Sequence, residues 1–550
     1  MADTGDVPVL IVGAGPVGLT LALALERLGI RSLVVERHGG ISPHPRARFV
    51  NARTMEIFRQ LGIEADVRAV AIPDGLASFV VWAPSLAAPE VKRAEIETLG
   101  PASGEPVSPS PGLTTSQDLL DAVLLRAVGE PGFSEVRFGC RLVGLEQTTD
   151  FVTATCADEK TGTVTSVRAR YLVAADGARS TVRELVGIPM QGPAALGHTI
   201  NIHFRADLRD ALRGRPVNLA FVLNPAQPGL LLNIDGERSW TAQALYVPAA
   251  GQRVEEFTEE RCRSIVRTQV GIPDLDVEIV GIAPWVSAAR VAERFSEGRV
   301  FLVGDAAQEM PPAGGFGMNT GVHEAHGLAW KLAGAIRGWA APGLLKTYDE
   351  ERRPLARWIT EQALLNLASV GRVQPPDGGP PQTKLGRPEF FRERGMVFGA
   401  VYHSSAVISD GSEAPQTVNP VTDYLPTATP GSRAPHLWIE LGTERCSTLD
   451  LWREGFTLVA AGSSVPWLRD VERVTTTAGV PLRTIACADP AWAEAYGVRP
   501  GGAVLVRPDG HVGWRSVAST GANAKEALAA LSSILHRSEV TATILQAREV

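Results

Sequence analysis

Cysteine is scarce. The five residues (Cys140, Cys156, Cys262, Cys446 and Cys487) are odd in number, widely spaced and form no CxxC pair. That spacing excludes a disulfide framework and points to a reducing cytoplasm. Basic charge is not in excess either: 53 Lys+Arg stand against 60 Asp+Glu, a net charge of −7. A nucleic-acid binder, which needs a basic face to neutralise phosphates, is thereby excluded. Long apolar runs are missing too. The best stretch, LTLALALERLGI, is cut by Glu26 and Arg27, short of the roughly 18 apolar residues of a membrane span. Asp3 and Asp6 stand where a basic leader would be, and glycines break VPVLIVGAGPVG, so no signal peptide is expected. No internal repeat is apparent.

What remains is an ordinary globular balance of 45% hydrophobic and 21% charged residues in 550, enough to bury a sizeable core and exclude general disorder. At about 150 residues per domain, the length suggests three or four units. Residues 7–12 read as a buried strand, 17–28 as a helix ending at Gly29, and 30–35 as a second strand, which together make a βαβ unit. RARFVNARTMEIFRQLG suits a helix closed by Gly62, 84–111 reads as irregular surface, and 117–128 as a helix. The alternating strands FVTATCAD and VTSVRARYLVAAD follow. Between about 187 and 284, short alternating segments such as HTINIHFRAD and SWTAQALYV predict an antiparallel sheet. RVFLVGDAA is a strand, 321–337 and 345–370 are long helices, and 373–388 is a linker by composition.

Three motifs carry chemistry. Gly13-Ala-Gly15-Pro16-Val-Gly18 lies between a strand and a helix, with Glu36 ending the second strand 18 residues past Gly18. Gly13 permits the tight turn, Gly15 lets backbone approach a pyrophosphate, Gly18 lets helix pack on strand, and the acid can take ribose hydroxyls. Nearly 300 residues on, RVFLVGDAAQEMPPAGGFGMNTG delivers Asp305 at a strand end, where a carboxylate can bind ribityl hydroxyls. Pro311, Pro312 and the run 314–319 then lead into a helix N-terminus suited to the charge on a reduced flavin's pyrimidine edge. Third, YLVAADGARSTVR places Asp176 and Gly177 at a strand end. The flavin motif selects FAD over NAD as the resident dinucleotide.

At these residues the chain resembles single-component, FAD-dependent aromatic hydroxylases of the para-hydroxybenzoate hydroxylase type. The dinucleotide fingerprint, the DG motif (Asp176, Gly177) and the GD motif (Gly304, Asp305) stand in family order. PRARFVNARTMEIFRQLG, VHEAHGLAWKLAGAIRGWAAPGLLKTYDEERRP and VRPDGHVGWR resemble the phenol and 2,4-dichlorophenol hydroxylase subgroup, which includes hydroxylases of aromatic polyketides. The likeness implies a Rossmann-like α/β FAD domain (1–76, 107–186, 285–372), an inserted antiparallel β-sheet substrate domain (77–106, 187–284), a connecting segment (373–430) and a C-terminal thioredoxin-like domain (431–550) without CxxC.

It also implies FAD contacts from Gly13, Gly15, Pro16, Gly18, Glu36, Arg37, Arg46, Gln117, Leu142, Asp176, Asp305, Pro311, Gly315, Gly317, Met318 and Asn319. NADPH or NADH visits transiently, because no second nucleotide motif occurs. The implied reaction is hydroxylation of a phenol-like ring with O2 through a flavin C4a-hydroperoxide. Baeyer–Villiger or oxidative decarboxylation chemistry on the same scaffold, or a flavin-binding scaffold without turnover, are the alternatives. Arg48 departs from the subgroup's histidine or acid, and either faces substrate or nicotinamide or is a solvated surface arginine. Asn218, Phe221, Asn233, Trp240 and Gln243 are pocket candidates from the β-rich insertion, with core packing the alternative for each. His323-Glu-Ala-His326 is not the HExxH of zincins and reads as packed or solvated histidines, not metal ligands. The C-terminal unit reads as a packing or oligomerisation module, a homodimer included, with a small aromatic substrate as the main partner.

Overall fold

The computed structural model describes residues 3–73, 75–96, 106–129, 133–373, 382–441, 444–453, 455–517 and 522–537. Its first sheet is built around the strand Asp3–Val12, whose apolar Val9–Val12 segment is buried on both faces, as parallel strands require. The strand order across this sheet is Ser296–Glu297, Val300–Leu302, Val164–Ala174, Asp3–Val12, Ser32–Glu36, Ser134–Phe138. The central neighbours run parallel, and the antiparallel strands Cys140–Gln147 and Val152–Asp158 attach to the flank of Val164–Ala174. Helix Pro16–Arg27 starts with proline at its first turn, where the missing N–H costs nothing. It packs on helices Gln117–Ala127 and Phe316–Arg337. This is the doubly wound arrangement expected from the βαβ opening.

The second sheet has seven strands in the order Glu278–Ser287, Gly197–Arg205, Ser239–Tyr246, Gly229–Asn233, Val217–Val222, Phe79–Ala83, Lys92–Glu95. It is not purely antiparallel. Phe79–Ala83 lies parallel to Val217–Val222, and Lys92–Glu95 pairs with it, so part of 84–111 that reads as irregular surface is strand. One face of the sheet buries Ile200, Ile202, Phe204, Trp240 and Ala242 against helix Glu259–Val270. On the other face, Trp82 and Phe221 pack with Phe49 and Ala313.

A four-stranded sheet, ordered Leu482–Cys487, Phe456–Ala461, Ala503–Val506, Val512–Ser516, forms the C-terminal unit with helices Leu468–Thr477 and Ala524–Ile534. The linker predicted over 373–388 overlaps a short hairpin, Val370–Val373 with Gln382–Leu385, and 374–381 lies outside the described residues. All five cysteines are free thiols. Cys140 and Cys156 meet on adjacent strands, where hydrogen bonding between the two thiols holds the Cys140 pKa to about 7.

Candidate active site

The dinucleotide turn is built for close approach. Gly13 has φ +109°, and a Cβ there would collide with the Ala175 carbonyl; a Cβ on Gly18 would collide with the Gly13 carbonyl. At Gly15, by contrast, no atom lies within 4 Å of where a Cβ would stand. Above it, the helix N-terminus has no side-chain cap, so its backbone donors remain to meet an anion. Glu36 tightens the turn, one carboxylate oxygen accepting from the Ala14 N–H (3.0 Å) and the other from the His38 N–H (2.9 Å). Arg37 and Arg46 are exposed beside it, and Leu142 is buried on a strand of the flank. Gln117 opens its helix, accepting from the Ala47 N–H (3.4 Å) and donating to Asp121 (3.3 Å). Burial raises the Asp121 carboxyl to about 7.

Asp176 lies two residues past the end of the strand Val164–Ala174, one oxygen accepting from the Val182 N–H (3.1 Å) while the other is buried without a partner. Burial pushes its pKa up. Asp305 lies not in the strand but in the helical turn Gly304–Ala306 just after it. Solvent reaches it while protein crowds its remaining sides; that crowding and Glu309 raise its carboxyl to about 6, with Arg46 opposing. The turn is held from three sides. Glu324 accepts from the Gly304 N–H (2.7 Å), the Tyr348 hydroxyl donates to the Leu302 carbonyl (2.7 Å), and Arg183 donates to the Ala306 carbonyl (3.2 Å).

Beyond Pro311, Gly314 (φ +118°) and Gly315 (φ +70°) turn the chain into helix Phe316–Arg337, five residues earlier than periodicity predicts. No side chain caps that N-terminus. Gly317 and Met318 sit in its first turn. Asn319 is fully engaged by protein: it donates to the Phe49 and Gly315 carbonyls and accepts from the Asn51 N–H and the Thr54 hydroxyl. Its side chain therefore clamps the loop to the segment 49–54.

These residues fit FAD. A glycine opening over a bare helix N-terminus suits a pyrophosphate, Glu36 and Asp305 suit two sets of hydroxyls, and a second bare helix N-terminus suits a negative flavin edge.

The five pocket candidates do not share one surface. Register places Phe221, Leu230, Gln243 and Asn201 in one row across the sheet, beginning at Trp82. Trp82 and Phe221 stack at 4.9 Å. Phe49 and Ala313, from the two loops that Asn319 ties together, pack onto the same aromatic cluster. Trp240 and Asn233 face the opposite way, Trp240 into the helix-covered core. Asn218 spends its amide on Ala77 and Thr114.

Sequence reasoning missed Trp82, Asn201, His203 and His44. The alternation Thr199, Asn201, His203 against Ile200, Ile202, Phe204 was the available signal for two of them. His44 lies edge-on to His203 (6.1 Å), its Nε2 buried without a partner, and burial lowers both pKa values. The Asn201 Oδ1 is also unpartnered.

Arg48 is buried, not solvated. Its guanidinium donates to the Asn233 carbonyl and to both oxygens of Asn218, and desolvation lowers its pKa to about 9. It ties the FAD side to the corner of the second sheet. His326 is buried and His323 half-buried, His323 against the Thr54 hydroxyl (3.1 Å). Among the described residues no helix is long and apolar enough to cross a membrane.

Fold and site together define a dinucleotide-binding flavoenzyme whose second sheet roofs the cofactor loops. Comparison gives the particular family. The FAD binding domain family matches residues 6–363, and the C-terminal domain of aromatic-ring hydroxylases matches 427–537. A putative polyketide hydroxylase of Streptomyces halstedii is 41% identical over 531 residues, 93% of each chain. Aklavinone 12-hydroxylase of Streptomyces purpurascens is 37% identical, covering 97% of this chain and 98% of its own. Among solved structures, the flavin-dependent monooxygenase PieE with FAD and substrate superposes at TM-score 0.88, with 35% identity and 98% and 100% coverage. Aklavinone-11 hydroxylase with FAD and aklavinone superposes at 0.85, with 36% identity and 96% and 99% coverage. The chain belongs to the FAD-dependent aromatic-ring hydroxylases and is a monooxygenase of that family.

Proposed function

We propose that this enzyme hydroxylates a phenol-like ring of a polyketide or related natural-product intermediate, with O2 and NAD(P)H as co-substrates. The observation that carries the reading is the row Trp82, Phe221, Leu230, Gln243, Asn201 on one sheet face, whose Trp82–Phe221 end packs against Phe49 and Ala313 of the cofactor loops. Flat apolar groups beside amides suit a fused aromatic ring bearing hydroxyls. The names of the polyketide and aklavinone hydroxylases it resembles support the same substrate class.

Bound FAD supplies hydride acceptance and oxygen activation; the chain supplies binding, orientation and water exclusion. Glu36, Asp305 and the two bare helix N-termini hold the cofactor, with Arg46 and Gln117 alongside. The sheet row orients the ring. His44, kept neutral by burial and unpartnered at Nε2, is the imidazole on this face able to take the phenol proton. NAD(P)H visits transiently.

The domain division set out above is part of this reading, as are a cytoplasmic setting with free thiols and a thioredoxin-like unit that serves packing or dimerisation. The test is NADH and NADPH oxidation by purified enzyme with and without simple phenols and hydroxylated polycyclic aromatics, followed by product mass. Stimulated oxidation and gain of one oxygen on an intact ring is the expected result. Colourless protein, or oxidation that no aromatic stimulates, overturns it.

A further inference from the structure

Behind the flavin-edge loop the FAD-side helices, the connecting segment and the C-terminal unit meet around an internal cavity of about 40 Å³. Arg53, Arg352, Arg433, His323, His326 and His511 contribute to its wall. The charges around it form three groups. Glu56 is shared by Arg53 (2.9 Å) and Arg433. Glu351 and Asp509 are matched by Lys331 (2.6 Å from Glu351) and Arg507 (2.7 and 2.5 Å). Arg352 stands apart. It donates to the Tyr402 hydroxyl (2.8 Å) and the Thr320 carbonyl (3.3 Å), and its Nε is buried with no partner. Among the described residues no carboxylate lies within ion-pair distance of it.

Glu324 acts on Arg352 through space, gives one oxygen to Gly304, and has its pKa raised by burial to about 7. Even with Glu324 fully ionised, five buried cations face four carboxylates. The neighbouring pair Arg353–Asp349 balances internally. The three histidines are driven toward their neutral forms by burial and by Arg53, Arg352 and Arg507. They add no charge. An excess buried cation is expensive unless paired. Water could fill the cavity, which has room for a few molecules, but water brings no charge.

We propose that this cavity binds one small monovalent anion, of chloride size, which pairs with the Arg352 guanidinium. A cavity of about 40 Å³ suits one small ion. The site adjoins the cofactor loop, since Asn51 and Phe316 line it and Thr54 bonds both His323 and Asn319. The proposal does not depend on the substrate reading.

The test is thermal unfolding of FAD-loaded enzyme in sodium chloride, bromide, gluconate and sulfate at matched ionic strength, with anomalous diffraction from bromide-soaked crystals. Halides are expected to raise the midpoint saturably by about 1–3 °C over gluconate and sulfate, with a bromide peak beside Arg352. Arg352→Gln should lose the halide response. If that variant does not fold, His326→Phe, which fills the cavity, should lose it instead. Equal midpoints in chloride and gluconate, or bromide found on the surface only, overturns the proposal and leaves a water-filled cavity.

Discussion

The cofactor loops and the junction behind them meet at Asn319, yet they are built from different material. The loops work through backbone: glycines at Gly13, Gly15, Gly314 and Gly315, two uncapped helix N-termini, and carboxylates that solvent can reach. The junction works through side chains: Arg507, Lys331, Glu351 and Asp509 are buried and bonded together across the chain, and Arg433 is buried and bonded to Glu56. The first arrangement leaves groups free for a ligand. The second consumes its groups to lock three parts of the chain together. Ligand affinity should therefore live in the loops and stability in the junction, and the two should be separable.

The largest expected effect is on the junction side. Arg507→Met leaves Glu351 and Asp509 short of their main partner in a dry site, a loss of about 3–5 kcal/mol. Thermal unfolding should fall steeply while the surviving folded enzyme binds FAD normally; a matching loss of flavin affinity breaks the division. Asp305→Ala is the mirror image. Removing charge-assisted hydrogen bonds of roughly 1.5–3 kcal/mol should weaken FAD about tenfold to a hundredfold, with no loss of apoprotein stability. Fluorescence titration of the apoprotein with FAD reads the first and its melting the second.

Glu324 links the two regions. Its folded pKa of about 7 lies above the ordinary 4.5, so the folded state binds the extra proton and stability falls as pH rises from about 4.5 to 7. Asp121 and Asp305 add in the same direction. Glu324→Gln keeps an acceptor for Gly304 and should flatten part of that slope, as pH-dependent urea unfolding would show; an unchanged slope means that Glu324 titrates normally. The smallest effect concerns the sheet. Gln243→Ala should raise KM for the aromatic substrate a few-fold with FAD affinity intact, whereas Trp240→Phe on the helix-covered face should leave KM alone. Equal effects on steady-state KM would break the assignment of faces.

The same contrast explains what was legible in the sequence. Backbone sites demand particular residues at fixed short spacing, so the turn at Gly13–Gly18, the acid at Glu36 and the strand leading to Asp305 could be read directly. Side-chain networks demand only complementary charge at distant positions. Nothing local marks Arg53, 456 residues from Asp509, as its partner. The parallel pairing of Phe79–Ala83 with Val217–Val222 was hidden for the same reason, because its partner strand lies far along the chain. Trp240 and Phe221 look equivalent by composition, and only register separates them. Arg48 was open between surface and site because its partners, Asn218 and Asn233, are neighbours only once two strands pair.

The order of strands in the first sheet has a consequence for synthesis. Leu172–Ala174 sits beside Asp3–Val12 on one side, but on the other it pairs with Val300–Leu302. A ribosome moving at about 5–20 residues per second takes roughly 6–26 s to travel from the first of these segments to the second. For that interval the nascent sheet carries an open, apolar edge, while five of the seven strands of the roofing sheet emerge. Such an edge invites pairing with other chains, so yield on expression should depend on chaperone supply and on slow translation more than the stability of the finished enzyme suggests.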